Sequence, residues 1–368
     1  MQKFPLFRFN PNTFCFLGDT EDIRSWKKYQ KYQKIFFYYD VPDRLKIRLD
    51  MSLDQEQVKF LQTNPSSKIV IDNSLEATDG SQIEFINQCA ENWKLNFNQV
   101  IFLCSDEIQS KFVEERASVH VQTICVNFFI NKLLQNQNRS KKIGRYKKFS
   151  MLCRRHRPWR TYLFSKLIDS YLLNNFKFTY YGVGTLDDID TDYIISETEL
   201  VTDSEISSKA KTALENIPFV DWNNERDAYF EVPKMIYTTD IHLVLEHNKA
   251  DESYCHPDRH IFISEKTYKP IVAKKPFLVF SEPYFLESLK ELGFRTFHPY
   301  INEEYDTIKD YKQRIESIIN ELQRLNRLNK QDFNKFKKNC QSIVKHNYQV
   351  ATELAEKHSL ENVWKQLS

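Results

Sequence analysis

Glycine is scarce in this chain, with 6 in 368 residues. Phosphate loops of the Walker and GxGxxG kinds depend on glycine, because the backbone must approach the phosphate closely and adopt positive φ. Neither pattern occurs. The nearest stretch, Tyr180-Tyr181-Gly182-Val183-Gly184, lacks the third glycine and reads as a turn after a strand. CxxC is also missing. The seven cysteines (Cys15, Cys89, Cys104, Cys125, Cys153, Cys255 and Cys340) are odd in number and scattered. They read as reduced thiols in a reducing compartment rather than a disulfide framework. No run approaches the roughly 18 apolar residues of a membrane span, and the first ten residues, MQKFPLFRFN, hold no signal-peptide core. The expectation is a soluble, cytoplasmic protein, in which the sequon Asn138-Arg139-Ser140 is only a polar loop. An excess of one charge is lacking too. With 52 basic and 50 acidic side chains the formal net charge is +2, so a nucleic-acid binder would have to rely on local patches.

What the chain has in quantity is aromatic residues. With 28 Phe and 19 Tyr, and 41% hydrophobic residues, it can fill two ordinary cores. Short apolar runs alternate with helix-compatible segments. Runs at 35–39 (IFFYY), 68–71 (KIVI), 100–104 (VIFLC) and 123–129 alternate with helical spacing at 53–62 and 82–93. The polar, basic stretch 135–148 is the best linker. Beyond it come expected strands at 149–153, 176–181 and 240–246 and expected helices at 161–173 and 206–216. The acidic loop 185–203 interrupts them, and helical periodicity dominates from 306 onward. Strand–helix alternation of this kind predicts parallel α/β domains. The divisions expected are an N-terminal Rossmann-like domain over 1–145, a second over 146–305, and a helical segment over 306–368 that packs back on them.

The most informative stretch is 261–283, IFISEKTYKPIVAKKPFLVFSEP. It reads as a strand (Ile261-Phe262-Ile263), a helical piece running to Lys274, and a second strand at 277–280. The polar cluster Ser264-Glu265-Lys266 then falls at a strand-to-helix corner on the carboxyl edge of a parallel sheet, where open α/β folds bind ligands. Exposed N–H groups and the helix dipole attract phosphate there, and Lys266 adds a full positive charge. Ser264 suits an N-cap, and Glu265 suits ribose hydroxyls. Pro270 is tolerated only near a first turn, so this helix is short or kinked. The alternative is an ordinary capped helix start.

SEKTYKPIVAKKPFLVF resembles the donor-site motif of GT-B glycosyltransferases. It is similar in form to the glutamate-lysine segment of α1,3-fucosyltransferases, and closer to phage, viral and bacterial GT-B-like proteins with a Ser-Glu-Lys-Thr-(Phe/Tyr)-Lys-Pro-Ile core. The segment Leu292-Gly293-Phe294-Arg295-Thr296-Phe297 matches those proteins as well, and the resemblance covers roughly 148–297. It implies two Rossmann-like domains facing across a cleft, with a helical C-terminus. It also implies a nucleotide-sugar donor held by Ser264, Glu265, Lys266, Thr267 and Lys269, and no resident cofactor or metal.

A second junction, 154–160, carries Arg154, Arg155, Arg157 and Arg160, with Pro158 near a helix start. Arginine forks bind phosphate oxygens bidentately. Arg154, Arg157 and Arg160 could therefore grip a pyrophosphate together with Lys266; a solvated patch or a nucleic-acid backbone contact remains open. Arg259 is a further phosphate candidate. Glu246 ends the preceding strand and either faces the ligand or is a strand-end charge. A metal at Cys255, His256 and His260 is disfavoured, because Pro257 breaks the stretch and zinc needs three or four convergent ligands. The Asp-x-Asp pairs among Asp188, Asp190 and Asp192 read as surface. Inverting transfer needs a carboxylate base near the acceptor. Strand ends of the first domain offer Asp72, Glu76, Asp106 and Glu107, of which Asp72 and Glu76 are preferred. Retaining enzymes of this fold often carry two glutamates about eight positions apart; Ala273 and Pro257 stand at those positions relative to Glu265, which favours inversion. The acceptor is a glycan, a protein or modified DNA. The rival is a non-catalytic module of the same fold that binds nucleic acid or a partner through 154–160.

Overall fold

A computed structural model describes residues 35–39, 68–72, 99–117, 121–137, 147–153, 158–180, 207–214, 219–220, 230–246 and 261–359, with single positions at 58–59, 62–63, 83, 87, 91, 94 and 362. The expected helices at 53–62 and 82–93 fall largely outside these residues, as do the acidic loop and Gly182 and Gly184. The chain divides into two units. The first comprises Met1–Phe128, His256–Phe262 and Leu354–Ser368; the second comprises Phe129–Cys255 and Ile263–Glu353.

The first unit contains a parallel sheet of β1 (Ile35–Tyr39), β2 (Lys68–Asp72), β3 (Val100–Cys104) and β4 (Gln122–Cys125), in that spatial order. Every residue of β3 is buried. A continuous apolar run such as VIFLC suits a strand covered on both faces. Helix α1 (Glu107–Arg116) crosses from β3 to β4. Asp106 caps it, with Oδ1 accepting from Gln109 N at 2.9 Å and Oδ2 from Ser105 Oγ at 2.6 Å. The apolar run 123–129 splits between two elements. Its ladder with β3 ends at Cys104 and Cys125, and α2 (Phe128–Gln135) then satisfies the backbone internally.

The second unit is built on a five-stranded sheet of β5 (Phe149–Cys153), β6 (Phe176–Tyr180), β7 (Phe219–Val220), β8 (Ile241–Leu245) and β9 (Phe277–Phe280). Helix α3 (Pro158–Asp169) links β5 to β6. Helices α4 (Ser208–Leu214) and α5 (Lys234–Thr238) precede β7 and β8 respectively, and α6 (Glu265–Val272) links β8 to β9. The spatial order is β7-β6-β5-β8-β9, parallel except for β7. In sequence rank this is 3-2-1-4-5, so the direction of winding reverses between β5 and β8. Buried polar side chains tie these two strands, with Ser150 Oγ 2.8 Å from His242 Nδ1 and also accepting from Thr239 Oγ1 at 2.8 Å.

One expected strand is corrected. Ile261-Phe262-Ile263 is not a strand; β8 is the strand that precedes α6. β8, paired with β5 on one side and β9 on the other, takes the place in the sheet that the 261–263 run was expected to fill. Ile263 is buried without ladder pairing.

Behind α6 the chain forms α7 (Phe285–Glu291), α8 (Tyr311–Arg327) and α9 (Lys330–Lys357). Gly293 stands just past α7 at φ +89, the left-handed conformation that glycine adopts without penalty. Phe294 N donates to Leu289 O at 3.0 Å there, and the Phe294 ring lies 6.3 Å from that of Tyr268 on α6. The Leu292–Phe297 segment thus serves packing. Arg314, buried on α8, donates to the carbonyls of Ser281, Ile308 and Lys309 and fixes the loop after β9. Among the described residues no helix is long and apolar enough to cross a membrane.

Asp306 makes this region sensitive to pH. Its Oδ2 accepts from Leu286 N at 3.0 Å and so caps α7. Burial raises its pKa from the usual 3.8 to about 7, against the Leu286 N–H and the Arg314 charge, which lower it. The folded carboxyl thus holds its proton where the unfolded one has lost it. Stability from this group is full below about pH 4 and is lost as pH rises through 7, at up to about 1.4 kcal/mol per pH unit. Half-buried Glu303 is raised as well and adds a contribution of the same sign. Urea midpoints measured between pH 5 and 7.5 should therefore fall, and should fall less in Asp306→Asn. An unchanged slope in the variant would remove Asp306 from the account.

Candidate ligand-binding corner

The corner is assembled around a carboxylate that is wholly inside. Glu246 follows β8 and is 0% exposed. Its Oε1 accepts from Ser264 N (3.2 Å), Thr267 N (3.2 Å) and Thr267 Oγ1 (2.6 Å), and its Oε2 accepts from Ser264 Oγ (2.6 Å). The first turn of a helix has N–H groups with no helical partner. Here a distant glutamate and the local Ser264 share the work, since Ser264 Oγ also accepts from Lys266 N at 3.3 Å. A negative charge at a helix N-terminus is favoured by the dipole as well.

Lys266 sits at the mouth of this arrangement. Its Nζ lies 3.1 Å from Ser264 Oγ, 3.4 Å from Glu265 Oε1 and 3.9 Å from Glu246 Oε2. Its side chain is 29% exposed, against 6% for Glu265. The ammonium is therefore the most exposed charged group of this cluster among the described residues. Thr267 and Lys269 are buried inside α6. Pro270 is the sixth residue of this helix, past the first turn expected from the sequence, and the helix is short, ending two residues later.

The arginine junction meets the same edge. Arg160 is buried in the first turn of α3, and its Nη2 donates to Leu245 O (3.3 Å) and Glu246 O (3.2 Å). Its guanidinium lies over the Trp159 ring, 4.9 Å from the centroid, and Trp159 packs on Phe280 of β9. Arg160 thus binds the carbonyl end of β8 to the helix after β5. Ligands of doubly wound sheets bind beyond the strands' carboxyl ends where winding reverses. That position here lies between β5 and β8, with Lys266 at the start of one following helix and Arg160 at the start of the other.

Arg154, Arg157 and Arg259 lie outside the described residues, as does Glu76. Asp72 ends β2 beside Tyr39, and its side chain is likewise outside them. Asp106 is occupied as the cap of α1. Glu107 belongs to a separate group of side chains described below. Sequence reasoning missed the capping work of Glu246 and Thr267. A strand-end glutamate followed much later by Ser-x-x-Thr was the available signal, but only the folded chain shows that they meet.

No protein-family model matches the sequence, and neither does any curated protein. Solved structures that resemble it include a trehalose-6-phosphate synthase, OtsA, at TM-score 0.49 and 9% identity, over 90% of this chain and 71% of that one. A glycosyltransferase from Rickettsia africae matches at TM-score 0.44 and 10% identity, over 94% and 79%. A DNA-modifying beta-glucosyltransferase, solved with and without its substrate uridine diphosphoglucose, matches at TM-score 0.36 and 10% identity, over 91% and 82%. At such identity these likenesses are remote, and no residue of this chain takes a role from them.

Proposed function

We propose that the chain is a glycosyltransferase that takes a sugar from a nucleoside diphosphate sugar. One observation carries this reading: Lys266, half-open at a helix N-terminus, stands on the sheet edge where winding reverses between β5 and β8. That edge offers an anion site with a fixed charge, and the sequence at it resembles a nucleotide-sugar motif. In this reading Lys266, with Arg154 and Arg157, stabilises the diphosphate as it leaves, which lowers the barrier because charge develops there. Glu265 holds the ribose. Glu246, Ser264, Thr267 and Arg160 act as positioning residues, since their polar atoms shape the corner. Asp72 or Glu76 takes the acceptor's proton. The transfer inverts and needs no metal at the leaving group. The acceptor is a glycan, a protein or modified DNA.

The test is a thermal-shift panel of UDP, GDP, CMP, ADP and their sugars on wild type and Glu265→Ala. A ligand that binds only the folded state stabilises it, by about 2.7 kcal/mol at a hundred times Kd. A rise with one nucleoside diphosphate, lost in the variant, is expected and would name the base. No shift with any of them, together with DNA binding that collapses as salt rises, would replace this reading with the nucleic-acid module.

A further inference from the structure

Away from the corner, the first unit gathers three different metal-binding side chains from segments remote in sequence. Glu107 opens α1, Cys125 ends β4, and His358 follows α9. One ligand atom from each lies within 4.8 Å of the other two. His358 Nε2 is 3.0 Å from Glu107 Oε1, and Lys357 Nζ is 2.6 Å from the same oxygen. The second carboxylate oxygen, Glu107 Oε2, is buried and accepts no hydrogen bond. A buried acceptor left unsatisfied is costly and asks for an explanation, an ion or a water being the usual ones.

Two readings compete. The bland one is an ion-pair cluster of Lys357, Glu107 and His358 with a bystander thiol. It leaves Oε2 unexplained and makes the nearness of Cys125 to the pair a coincidence.

We propose that Glu107, Cys125 and His358 form a transition-metal site, best suited to zinc, that pins the chain after α9 to the carboxyl end of β3 and β4. Thiolate, imidazole and carboxylate together favour zinc or cobalt over calcium and magnesium. Zinc bonds of about 2.0–2.3 Å in a tetrahedron set ligand atoms roughly 3.3–3.8 Å apart, so the three need close by only about 1 Å. Binding the ion removes the thiol proton to solvent, and the exposed Lys357 ammonium gives up its place on Glu107. Glu107 is 39% exposed, so water can supply the fourth ligand. The site is independent of the proposed transferase activity, and its failure would leave that reading untouched.

The experiment uses the full chain, stripped by a chelator under reducing conditions and titrated with cobalt(II), then with zinc. One cobalt per chain is expected, with thiolate-to-cobalt charge-transfer absorption that zinc abolishes and that Cys125→Ser lacks. Should that variant fail to fold by circular dichroism, His358→Gln decides the matter. It should keep the absorption but bind cobalt about 100-fold more weakly, since loss of even an outer partner costs about 10- to 100-fold. No stoichiometric thiolate band in wild type, a band that survives Cys125→Ser, or undiminished affinity in His358→Gln would each overturn the proposal.

Discussion

Glu246→Ala is expected to lose about 3–5 kcal/mol of folding stability, a large part of the 5–15 kcal/mol that holds an ordinary domain. The carboxylate accepts four hydrogen bonds, two of them from the backbone amides of Ser264 and Thr267. Both amides are buried; Thr267 N also donates to Ser264 O at 3.2 Å, so the Ser264 amide bears most of the backbone loss. Each buried donor left without a partner costs about 1–3 kcal/mol, while the two hydroxyls can turn to relieve part of the loss. Glu246→Gln keeps the Oε1 acceptor, and its amide can donate to Ser264 Oγ, so its cost should be nearer 1 kcal/mol. Urea unfolding measures both, with the midpoint shifted and the slope unchanged. If alanine costs less than 1 kcal/mol, Glu246 does not hold the corner.

Lys266→Gln should show the opposite pattern. The side chain is partly exposed and its ion pairs are screened, so stability should change by less than about 1 kcal/mol. A charge-assisted contact to phosphate contributes about 1.5–3 kcal/mol, so a nucleoside diphosphate should bind about 10- to 100-fold more weakly. The nucleoside alone, which carries no phosphate, should bind both forms equally. Isothermal titration separates these outcomes. Equal loss for the nucleoside and its diphosphate would mean that Lys266 shapes the pocket rather than holding the phosphate.

The sequence disclosed what local chemistry dictates. VIFLC and FLVF are uniform apolar runs, FSMLC is one broken only by Ser150, and each is a buried strand. Ser264 was legible as an N-cap because capping is a matter of adjacent residues. Errors arose where a remote partner decides. Ile261-Phe262-Ile263 has a strand's composition, yet a strand is defined by its ladder partner and this run has none; β8 is the strand that precedes α6. For Arg160, residue type suggests a phosphate ligand but does not fix direction; in the fold its Nη2 donates to the carbonyls of Leu245 and Glu246, contacts that no local pattern predicts. The Glu107, Cys125 and His358 group was illegible for the same reason, since no spacing rule connects its members.

The order β7-β6-β5-β8-β9 has a consequence during synthesis. A nascent chain that has emerged through Tyr180 can pair β5 with β6 but has no second wall for the ligand, because β8 and α6 are still to come. The chain must reach Val272 before Lys266, Glu246 and Arg160 can meet, and Phe280 before β9 shields the outer flank of β8. If the proposed function holds, a nucleotide could therefore bind the second unit only after the chain has passed Val272, never an earlier fragment. Cellular nucleotide would then act as a late ratchet on maturation, drawing completed chains forward by mass action while leaving their precursors to form the sheet unaided.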